Sequence, residues 1–239
     1  AKTAVADSAG NYSITVPYGW SGTVTPSKSP YYFTPATRVY SNVVVNVSAQ
    51  NYTISIFNDV ISTYWAFNFI ERFSAAGITS GCSVAPLKYC PETVVTNAQM
   101  AVFLVRAIHG VAFVPPAATG TIFADVSAAS FGAAYIEQLA ADGITSGCGG
   151  GNYCPNQAVT RAEMAALLLK SKHGSAYVPP AATGTIFTDV PISHAYAPWI
   201  EQLVFEGITS GCTATTYCPN SSVTRAQMAV FFVRTFSLP

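Results

Sequence analysis

Arg161 and Arg225 are the residues of this chain best suited to binding a charged ligand. Each is the second residue of a Thr-Arg-Ala-(Glu/Gln) sequence at the start of a predicted helix, and Asn97 holds the same place in a third copy. A guanidinium in the first turn opposes the helix dipole, so a separate interaction must favour it. A bidentate bond to a ligand carboxylate or a salt bridge to a neighbouring repeat would each do so. Asn97 lacks the charge, so its copy is expected to bind an acidic ligand weakly.

The threonine and the acidic or amide residue of this sequence are explained by helix capping. Thr160 and Glu163 have the spacing of a capping box, in which each side chain bonds the backbone N–H of the other residue. Thr96 with Gln99 and Thr224 with Gln227 have the same spacing. The three sequences therefore predict three helix N-termini.

Six cysteines occur in three close pairs, which are Cys82 with Cys90, Cys148 with Cys154 and Cys212 with Cys218. Two thiols are half a zinc site, but no histidine or second pair follows at ligand spacing. One disulfide in each pair is therefore predicted, and no metal is expected. Disulfides indicate an oxidising compartment, either extracellular, at the cell surface or periplasmic.

Sequences typical of catalysis are not convincing in this chain. Gly77-Ile-Thr-Ser-Gly81 resembles a serine elbow, but its serine comes one position late. The glycines at 149–151 lie between two cysteines and not between a strand and a helix, so they do not predict a phosphate loop. We expect neither an enzyme nor a cofactor.

These residues belong to a block of about 64 residues that occurs three times, beginning at Phe57, Phe123 and Phe187. A fixed period makes the repeat the structural unit. Each copy predicts helix, loop and helix. The first helix has an apolar stripe at i, i+3, i+4 and i+7, formed by Ala66, Phe69, Ile70 and Phe73, by Gly132, Tyr135, Ile136 and Leu139, and by Tyr196, Trp199, Ile200 and Leu203. A glycine in the C′ position ends each of these helices, at Gly77, Gly143 and Gly207.

Other polar residues recur at the same place in each copy, and we expect local roles for most of them. The aspartates before the first helix are expected to cap a turn (Asp59, Asp125, Asp189). The glutamates after the buried isoleucine are expected to face a neighbouring repeat (Glu71, Glu137, Glu201). The tyrosines beside the second cysteine line a sugar site or pack on the disulfide (Tyr89, Tyr153, Tyr217). The two last-turn histidines are expected to bond free carbonyl groups rather than a metal (His109, His173).

The composition limits the class of partner. Half of the residues are hydrophobic, 9% are charged and the net charge is zero, against roughly a quarter charged in typical soluble domains. No basic field is available to attract nucleic acid or anionic lipid. No apolar run approaches the roughly 20 residues that span a bilayer, so no membrane insertion is expected. The surface suits neutral glycans or packing against other protein copies.

Residues 1–55 predict β structure. Polar and apolar residues alternate at Tyr12–Val16, at Val43–Val47 and at Tyr52–Ile56, with glycine and proline turns between them. Four or five short strands are few for a sandwich of two packed sheets.

The repeated pattern Phe-x-Asp-Val, Ile-Glu, Gly-Ile-Thr-x-Gly, Tyr-x-Pro and Thr-Arg-Ala-Glu resembles the S-layer homology domain, in three tandem copies over about 57–239. The resemblance implies a three-pronged helical bundle whose grooves bind secondary cell-wall polysaccharide, often through an acidic pyruvyl sugar. It implies Arg161, Arg225, Gly147 and Gly211 as glycan ligands. Asn97 departs from the family pattern, and a cysteine-bridged loop replaces the family's loop rich in glycine and aspartate.

The N-terminal part is similar to carboxypeptidase-regulatory-like, prealbumin-type β-sandwich modules, through Gly10–Ile14 and Tyr18–Val24. Those modules begin with further strands, so either the start has been removed or the sandwich is incomplete. An incomplete sandwich exposes an edge that can accept a strand from another chain. The donated strand and polymer contact would be Ala1, Lys2, Thr3, Ala4 and Val5, and head-to-tail donation would build a filament.

The sequence therefore predicts an α+β chain of two domains. A small β-sandwich module, incomplete or completed by another chain, covers 1–55, and an all-α pseudo-threefold cluster follows with repeats at 56–118, 119–182 and 183–239. The predicted function is that of a non-catalytic extracellular protein of the cell surface or cell wall that binds wall polysaccharide. The alternative is a self-assembling subunit of an extracellular filament or S-layer-like polymer, joined by β-strand donation.

Overall fold

Strands occupy the N-terminal part and helices most of the remainder, in a computed structural model that describes residues 2–239. The strands of this part of the chain are β1 (Trp20–Val24), β2 (Tyr32–Thr34), β3 (Arg38–Val43), β4 (Thr53–Ser55), β5 (Ser83–Val84) and β6 (Leu87–Lys88). The helices are α1 (Phe67–Ala75), α2 (Asn97–His109), α3 (Ala133–Ala141), α4 (Arg161–His173), α5 (Ala197–Phe205) and α6 (Arg225–Phe236). The predicted mixture of helix and strand is confirmed.

The N-terminal module contains two antiparallel pairs of strands. β1 pairs with β3, and β2 pairs with β4. The strand predicted at Tyr12–Val16 is wrong, and only Val43 of Val43–Val47 lies in a strand. Both segments alternate as strands do, but no described backbone segment pairs with residues 12–16 or 44–47, and alternation without a partner does not make a sheet. The strand predicted at Tyr52–Ile56 is present as β4.

The second helix of each repeat begins where the capping boxes predict. The hydroxyl groups of Thr96, Thr160 and Thr224 accept the backbone N–H three residues later, and the reverse bond of each box is also made. The first helices end two residues before a glycine with φ of +73°, +71° and +67° at Gly77, Gly143 and Gly207. Side chains other than glycine rarely adopt this left-handed conformation, so the predicted C′ glycines are confirmed.

The buried stripe of the first helices differs from the predicted one. The residues that face the core are Phe67, Ile70 and Phe73 in α1, with Ala133, Ile136 and Leu139, and Ala197, Ile200 and Leu203, in the other copies. The aromatic residue before each isoleucine is only half-buried. It lies under a cation from the second helix of another repeat, in the pairs Arg234 with Phe69, Arg106 with Tyr135 and Lys170 with Trp199.

Helices of different repeats pack in a cyclic order. α2 packs on α3, α4 packs on α5, and α6 packs on α1, so each first helix leans on the second helix of another repeat. The buried side chains of all three repeats form one hydrophobic cluster. The contact of α6 with α1 joins the last repeat to the first.

Three backbone hydrogen bonds follow the same cycle just before the second helices. The N–H of Val95 donates to Val223, that of Val223 to Val159, and that of Val159 to Val95, each at 2.9 Å. All three valines have no exposed surface. Because water cannot replace these bonds, they link the N-termini of α2, α4 and α6 firmly to each other.

None of the described helices has the length and apolarity that crossing a bilayer requires.

Candidate functional site

The loop between the helices of each repeat is closed by a disulfide and held by an aspartate. The predicted disulfides are present, which are Cys82–Cys90, Cys148–Cys154 and Cys212–Cys218. The Asp125 carboxylate accepts the N–H groups of Tyr153 at 2.7 Å and Cys154 at 2.8 Å. The bond from Tyr153 lowers the pKa of this carboxyl group. The expectation of a local turn cap is therefore wrong, because the aspartate binds a loop that follows the first helix.

The one group of three potential metal ligands within residues 2–239 is Asp59 with Cys82 and Cys90. Both cysteines are joined in a disulfide. Because a metal binds the thiolate form, this group cannot act as a metal site while the disulfide is intact.

The tyrosine of each loop joins two repeats. The Tyr217 hydroxyl donates to the Arg161 carbonyl at 2.8 Å, and the Tyr89 hydroxyl donates to the Arg225 carbonyl at 2.7 Å. Tyr153 donates to the Asn97 carbonyl at 2.9 Å. These tyrosines are buried, and burial raises the pKa of each hydroxyl well above its usual range. The hydroxyl groups therefore stay protonated and act as donors.

The side chains of Arg161 and Arg225 in turn contact Tyr217 and Tyr89. Nε of Arg161 donates to the Tyr217 carbonyl at 2.8 Å, and Nε of Arg225 donates to the Tyr89 carbonyl at 2.6 Å. Each guanidinium also lies over the ring of its tyrosine, at 4.6 Å and 4.7 Å from the centroid. Only 4% and 3% of the two arginines is exposed. The arginines therefore contact a neighbouring repeat through a carbonyl and a ring, a third possibility beside the two that the sequence left open.

The outer nitrogens of the two arginines differ in their partners. Nη2 of Arg225 donates to the Thr79 hydroxyl at 3.3 Å. Nη2 of Arg161 is buried and has no hydrogen-bond partner among the described residues. A buried donor without a partner costs about 1–3 kcal/mol, so an acceptor that reached this atom would stabilise it.

Asn97 lies at an open cavity of about 230 Å³ that is lined by residues of all three repeats, most of them from the second. Its Nδ2 donates to the Cys154 carbonyl at 3.0 Å, but the asparagine side chain is shorter than that of arginine and carries no positive charge to place over the ring of Tyr153. The cavity is lined by Asn97, Thr145, Gly147, Glu163, Lys170, Tyr196 and Trp199. The sequence predicts that the copy with Asn97 binds an acidic ligand most weakly, yet Asn97 lies at an accessible cavity.

The two glycines that are predicted as glycan ligands, Gly147 and Gly211, lie in different loops. Gly147 lies with Asn97 at the open cavity, whereas Gly211 belongs to the loop that contacts Arg161 through Tyr217. A Cβ on Gly147 would come within 2.2 Å of the Asn152 carbonyl oxygen, and a Cβ on Gly211 within 2.6 Å of a backbone oxygen. Loop packing therefore requires both glycines, and their role as glycan ligands stays a prediction.

Sequence reasoning missed the cavity residues Tyr196, Trp199 and Lys170. Tyr196 and Trp199 fit the apolar period of a first helix and were assigned to the core. The only signal in the sequence is the larger aromatic residue in the third copy, where the other copies have Phe69 and Tyr135.

The recurring glutamates hold the connector that precedes their own repeat. Glu137 accepts the N–H groups of Thr119 at 2.8 Å and Gly120 at 2.7 Å, and Glu201 binds the next connector in the same way. The bond from Thr119 lowers the pKa of Glu137. The expectation that these glutamates face a neighbouring repeat is wrong, because the connector folds back over the first helix.

The two histidines pair with carboxylates and not with carbonyl groups. Nε2 of His109 lies 2.8 Å from Asp142, and Nε2 of His173 lies 2.8 Å from Glu206. The expectation of free carbonyl partners is wrong because the following repeat brings an acidic residue to the end of the helix.

A larger open cleft, of about 760 Å³, lies in the N-terminal module between the segments 10–18 and 43–51. Ala1 of the predicted polymer contact lies outside the described residues, and Lys2, Thr3, Ala4 and Val5 are all exposed. Nζ of Lys2 donates to the Thr15 carbonyl at 2.9 Å.

Two segments of this chain, 122–165 and 186–229, match the S-layer homology domain. The chain therefore contains two S-layer homology domains, which fall in the predicted second and third repeats and include Arg161 and Arg225. The predicted first repeat lies outside the match, although it has the same capping box, disulfide and inter-repeat tyrosine. The resemblance of the N-terminal module to a prealbumin-type sandwich stays a prediction.

Two curated proteins are similar to this chain. An Amylopullulanase of Thermoanaerobacterium thermosulfurigenes is 25% identical over 246 residues, which cover 92% of this chain and 13% of that protein. A Surface layer protein of Brevibacillus choshinensis is 27% identical over 99 residues, which cover 41% of this chain and 9% of that protein. The chain thus spans a small fraction of the length of these relatives.

Proposed function

We propose that this chain is a non-catalytic extracellular protein that binds cell-wall polysaccharide and is thereby held at the cell surface. The observation that carries the proposal is the match of two segments to the S-layer homology domain, because these segments include Arg161 and the tyrosine that it contacts. Similarity to a protein called a surface layer protein supports the location. The disulfides agree with an oxidising, extracellular compartment.

The proposal includes three repeats, at 56–118, 119–182 and 183–239, arranged with pseudo-threefold symmetry after a β module at 1–55. The cycle of hydrogen bonds through Val95, Val159 and Val223 supports this arrangement. The cyclic packing of first helices on second helices supports it as well.

Two kinds of glycan-binding groove follow from the residues that line them. Arg161 and Arg225, with Gly211 in a neighbouring loop, would bind an acidic sugar such as a pyruvylated one through its carboxylate. The free Nη2 of Arg161 favours such an acceptor. Since this atom is buried, the ligand would have to widen the groove.

The cavity at Asn97 and Gly147 would take a neutral part of the polysaccharide. The half-buried rings of Trp199 and Tyr196 give flat apolar faces, and Asn97 and Glu163 give polar groups for hydroxyl groups of a sugar. Concave sites with a few polar groups among aromatic side chains are typical of small-ligand binding.

Sedimentation with purified cell walls tests the role of the arginines. The double variant Arg161→Gln/Arg225→Gln should lose most of its binding to the wall. Arg106→Gln is the matched control, because Nη1 of Arg106 also donates to a backbone carbonyl, that of Ile78 at 3.0 Å, but at the opposite end of its helix. Circular dichroism spectra should show that all variants are folded. Equal wall binding by the double variant and the control would exclude the arginines as ligands.

A second candidate function is that of a self-assembling subunit of an extracellular filament or S-layer-like polymer. The open cleft of the N-terminal module and the exposed segment before it favour this function. Negative-stain microscopy of the chain at increasing concentration should then show ordered polymers. Particles of single-chain size at every concentration would contradict it.

A further inference from the structure

The open cleft of the N-terminal module has two walls that make no backbone–backbone hydrogen bond over most of their length, although the carbonyl groups of Thr15 and Ser48 accept side-chain donors. We call it the acceptor cleft, lined by the segments 10–18 and 43–51, with a volume of about 760 Å³. Within residues 2–239, no backbone–backbone hydrogen bond involves residues 12–16 or residues 44–49. Residues 12–16 contain no turn or bend, so this wall can present the edge of a sheet. The second wall bends at Val45 and has a left-handed backbone at Ala49, with φ of +54°. An added strand would therefore bond the first wall and pack against the second.

The second wall of the cleft is also apolar. Val44, Val45 and Val47 are exposed, Val45 to the extent of 72%. Exposure of three valines within four residues to water is unfavourable, whereas β-branched residues are favoured within sheets. This composition fits a wall that another strand covers.

A segment with the properties of the missing strand precedes the cleft. We call it the donor segment, and its described part is Lys2–Val5. All of these residues are exposed, Val5 by 94%, and their backbone makes no backbone hydrogen bond with the rest of the described chain. The carboxylate of Asp7 accepts the N–H groups of Ala9 and Asn11, which holds a turn directly after the segment.

The donor segment does not fill the cleft of its own chain. Nζ of Lys2 reaches the Thr15 carbonyl, but the residues that line the cleft begin at Gly10. None of residues 2–5 is among the residues that line the cleft. The cleft stays open although a suitable strand is only a few residues away.

We propose that the acceptor cleft of one copy binds the donor segment of a second copy as an added β-strand. The proposal rests on the second candidate function, self-assembly, and assigns the contact that would produce it. At about 3.3 Å per residue, the donor segment and the wall of residues 12–16 have similar lengths of roughly 13–17 Å. Thr3 and Val5 then share one face of the added strand, and Lys2 and Ala4 share the other.

The geometry of this contact produces an open polymer. Each copy has one donor segment and one acceptor cleft at different places, so the contact is heterologous and each bound copy leaves a free donor and a free cleft at the ends. Main-chain hydrogen bonds would supply the affinity, and the exposed valines would select an apolar residue such as Val5.

Complementation between two defective chains tests this contact. The donor variant is Val5→Glu, and the acceptor variant is Val45→Glu/Val47→Glu. Val84→Glu is the matched control, because Val84 is 87% exposed and lies in the disulfide loop of the first repeat. Analytical ultracentrifugation should show polymers for the wild type and the control, and monomers for each defective variant alone. An equal mixture of the two defective variants should give a one-to-one dimer and nothing larger, because one intact donor meets one intact cleft.

Other results of the ultracentrifugation experiment distinguish the strand-donation hypothesis from the more general hypothesis of self-assembly. Polymers formed equally by both defective variants would overturn strand donation and leave self-assembly intact. A wild type that is monomeric at every concentration would overturn both, without bearing on wall binding.

A peptide with the sequence of residues 1–7 provides a measurement that does not depend on variant folding. It should shorten wild-type polymers by occupying the cleft, whereas the same peptide with Val5→Glu should not. Equal effects of the two peptides would count against the donor segment.

Discussion

Replacing Tyr217 with phenylalanine should weaken the contact between the second and third repeats by a predictable amount. The hydroxyl of Tyr217 donates to the Arg161 carbonyl at 2.8 Å, and Tyr217 has no exposed surface. The ring stays, so no cavity forms. The carbonyl of Arg161 keeps its bond within the helix, so it is not left without a partner. The loss is therefore one buried hydrogen bond, about 1–1.5 kcal/mol in the free energy of unfolding.

Thermal unfolding followed by circular dichroism measures this loss. For a chain of this size, about 1–1.5 kcal/mol corresponds to a fall in Tm of roughly 2–6 °C. Tyr153→Phe should give a similar fall, because its hydroxyl donates to Asn97 at 2.9 Å. Tyr18→Phe is the control, since Tyr18 is 86% exposed, and it should change stability by less than about 0.5 kcal/mol. A Tyr217→Phe variant as stable as the control would refute the reasoning.

A double-mutant cycle with Arg161→Gln tests whether the two bonds between Arg161 and Tyr217 act together. The side chain of each residue bonds the backbone carbonyl of the other, and the guanidinium lies over the ring. Contacting residues of this kind show coupling energies of about 0.5–3 kcal/mol. Strictly additive losses would mean that the reciprocal contact is two independent bonds.

Three further predictions concern the groove, the loops and acid stability. Asn97→Arg should fill the cavity beside Asn97, raise Tm by a few degrees and abolish binding of a neutral wall fragment in calorimetry; unchanged binding would place the fragment elsewhere. Replacing Cys148 and Cys154 by serine should cost about 2–3 kcal/mol, the loop-closure term for so short a loop, and a Tm equal to that of the wild type would contradict it. The folded-state pKa of Glu137 is lowered from 4.5, so its contribution to stability is present above pH 4.5 and is lost as the pH falls through the lowered value. Glu137→Gln should therefore reduce the loss of Tm in acid, as scanning calorimetry between pH 6 and pH 3 would show; an unchanged acid slope would rule out this role.

The predictions that succeeded from sequence rest on interactions within a few residues. A threonine cap bonds a group three residues along the chain, as in Thr160 with Glu163. The glycine after a helix is favoured by the positive φ angle of that one residue. The paired cysteines are six or eight residues apart in sequence. A loop this short keeps the two side chains close together, so their pairing follows from the sequence. Such features are complete within one repeat and do not depend on how the repeats pack.

The predictions that failed concern partners far away in sequence. Asp125 was expected to cap a local turn, but it binds backbone groups 28 and 29 residues later. Tyr12–Val16 alternates as a strand does, yet a strand exists only where a second segment bonds it. The period of the first helices identified an apolar face but misplaced its centre, because Trp199 lies under Lys170 of another repeat.

The sequence by itself determined the repeated helix–loop–helix units of this protein, with their caps, glycine ends and disulfides. It also showed that one place in the repeat varies, since it holds Asn97 in the first copy, Arg161 in the second and Arg225 in the third. Only the tertiary structure decided what this position contacts. Arg161 meets a carbonyl 56 residues away, and Arg225 one that is 136 residues away in the opposite direction. Chain connectivity specifies contacts between residues that are close in sequence. The partners of Arg161 and Arg225 are brought to them by the packing of one repeat against another, and Arg225 meets Tyr89 only when the third repeat packs against the first. For the same reason the shorter Asn97 leaves an open cavity, which no pattern along the chain could show.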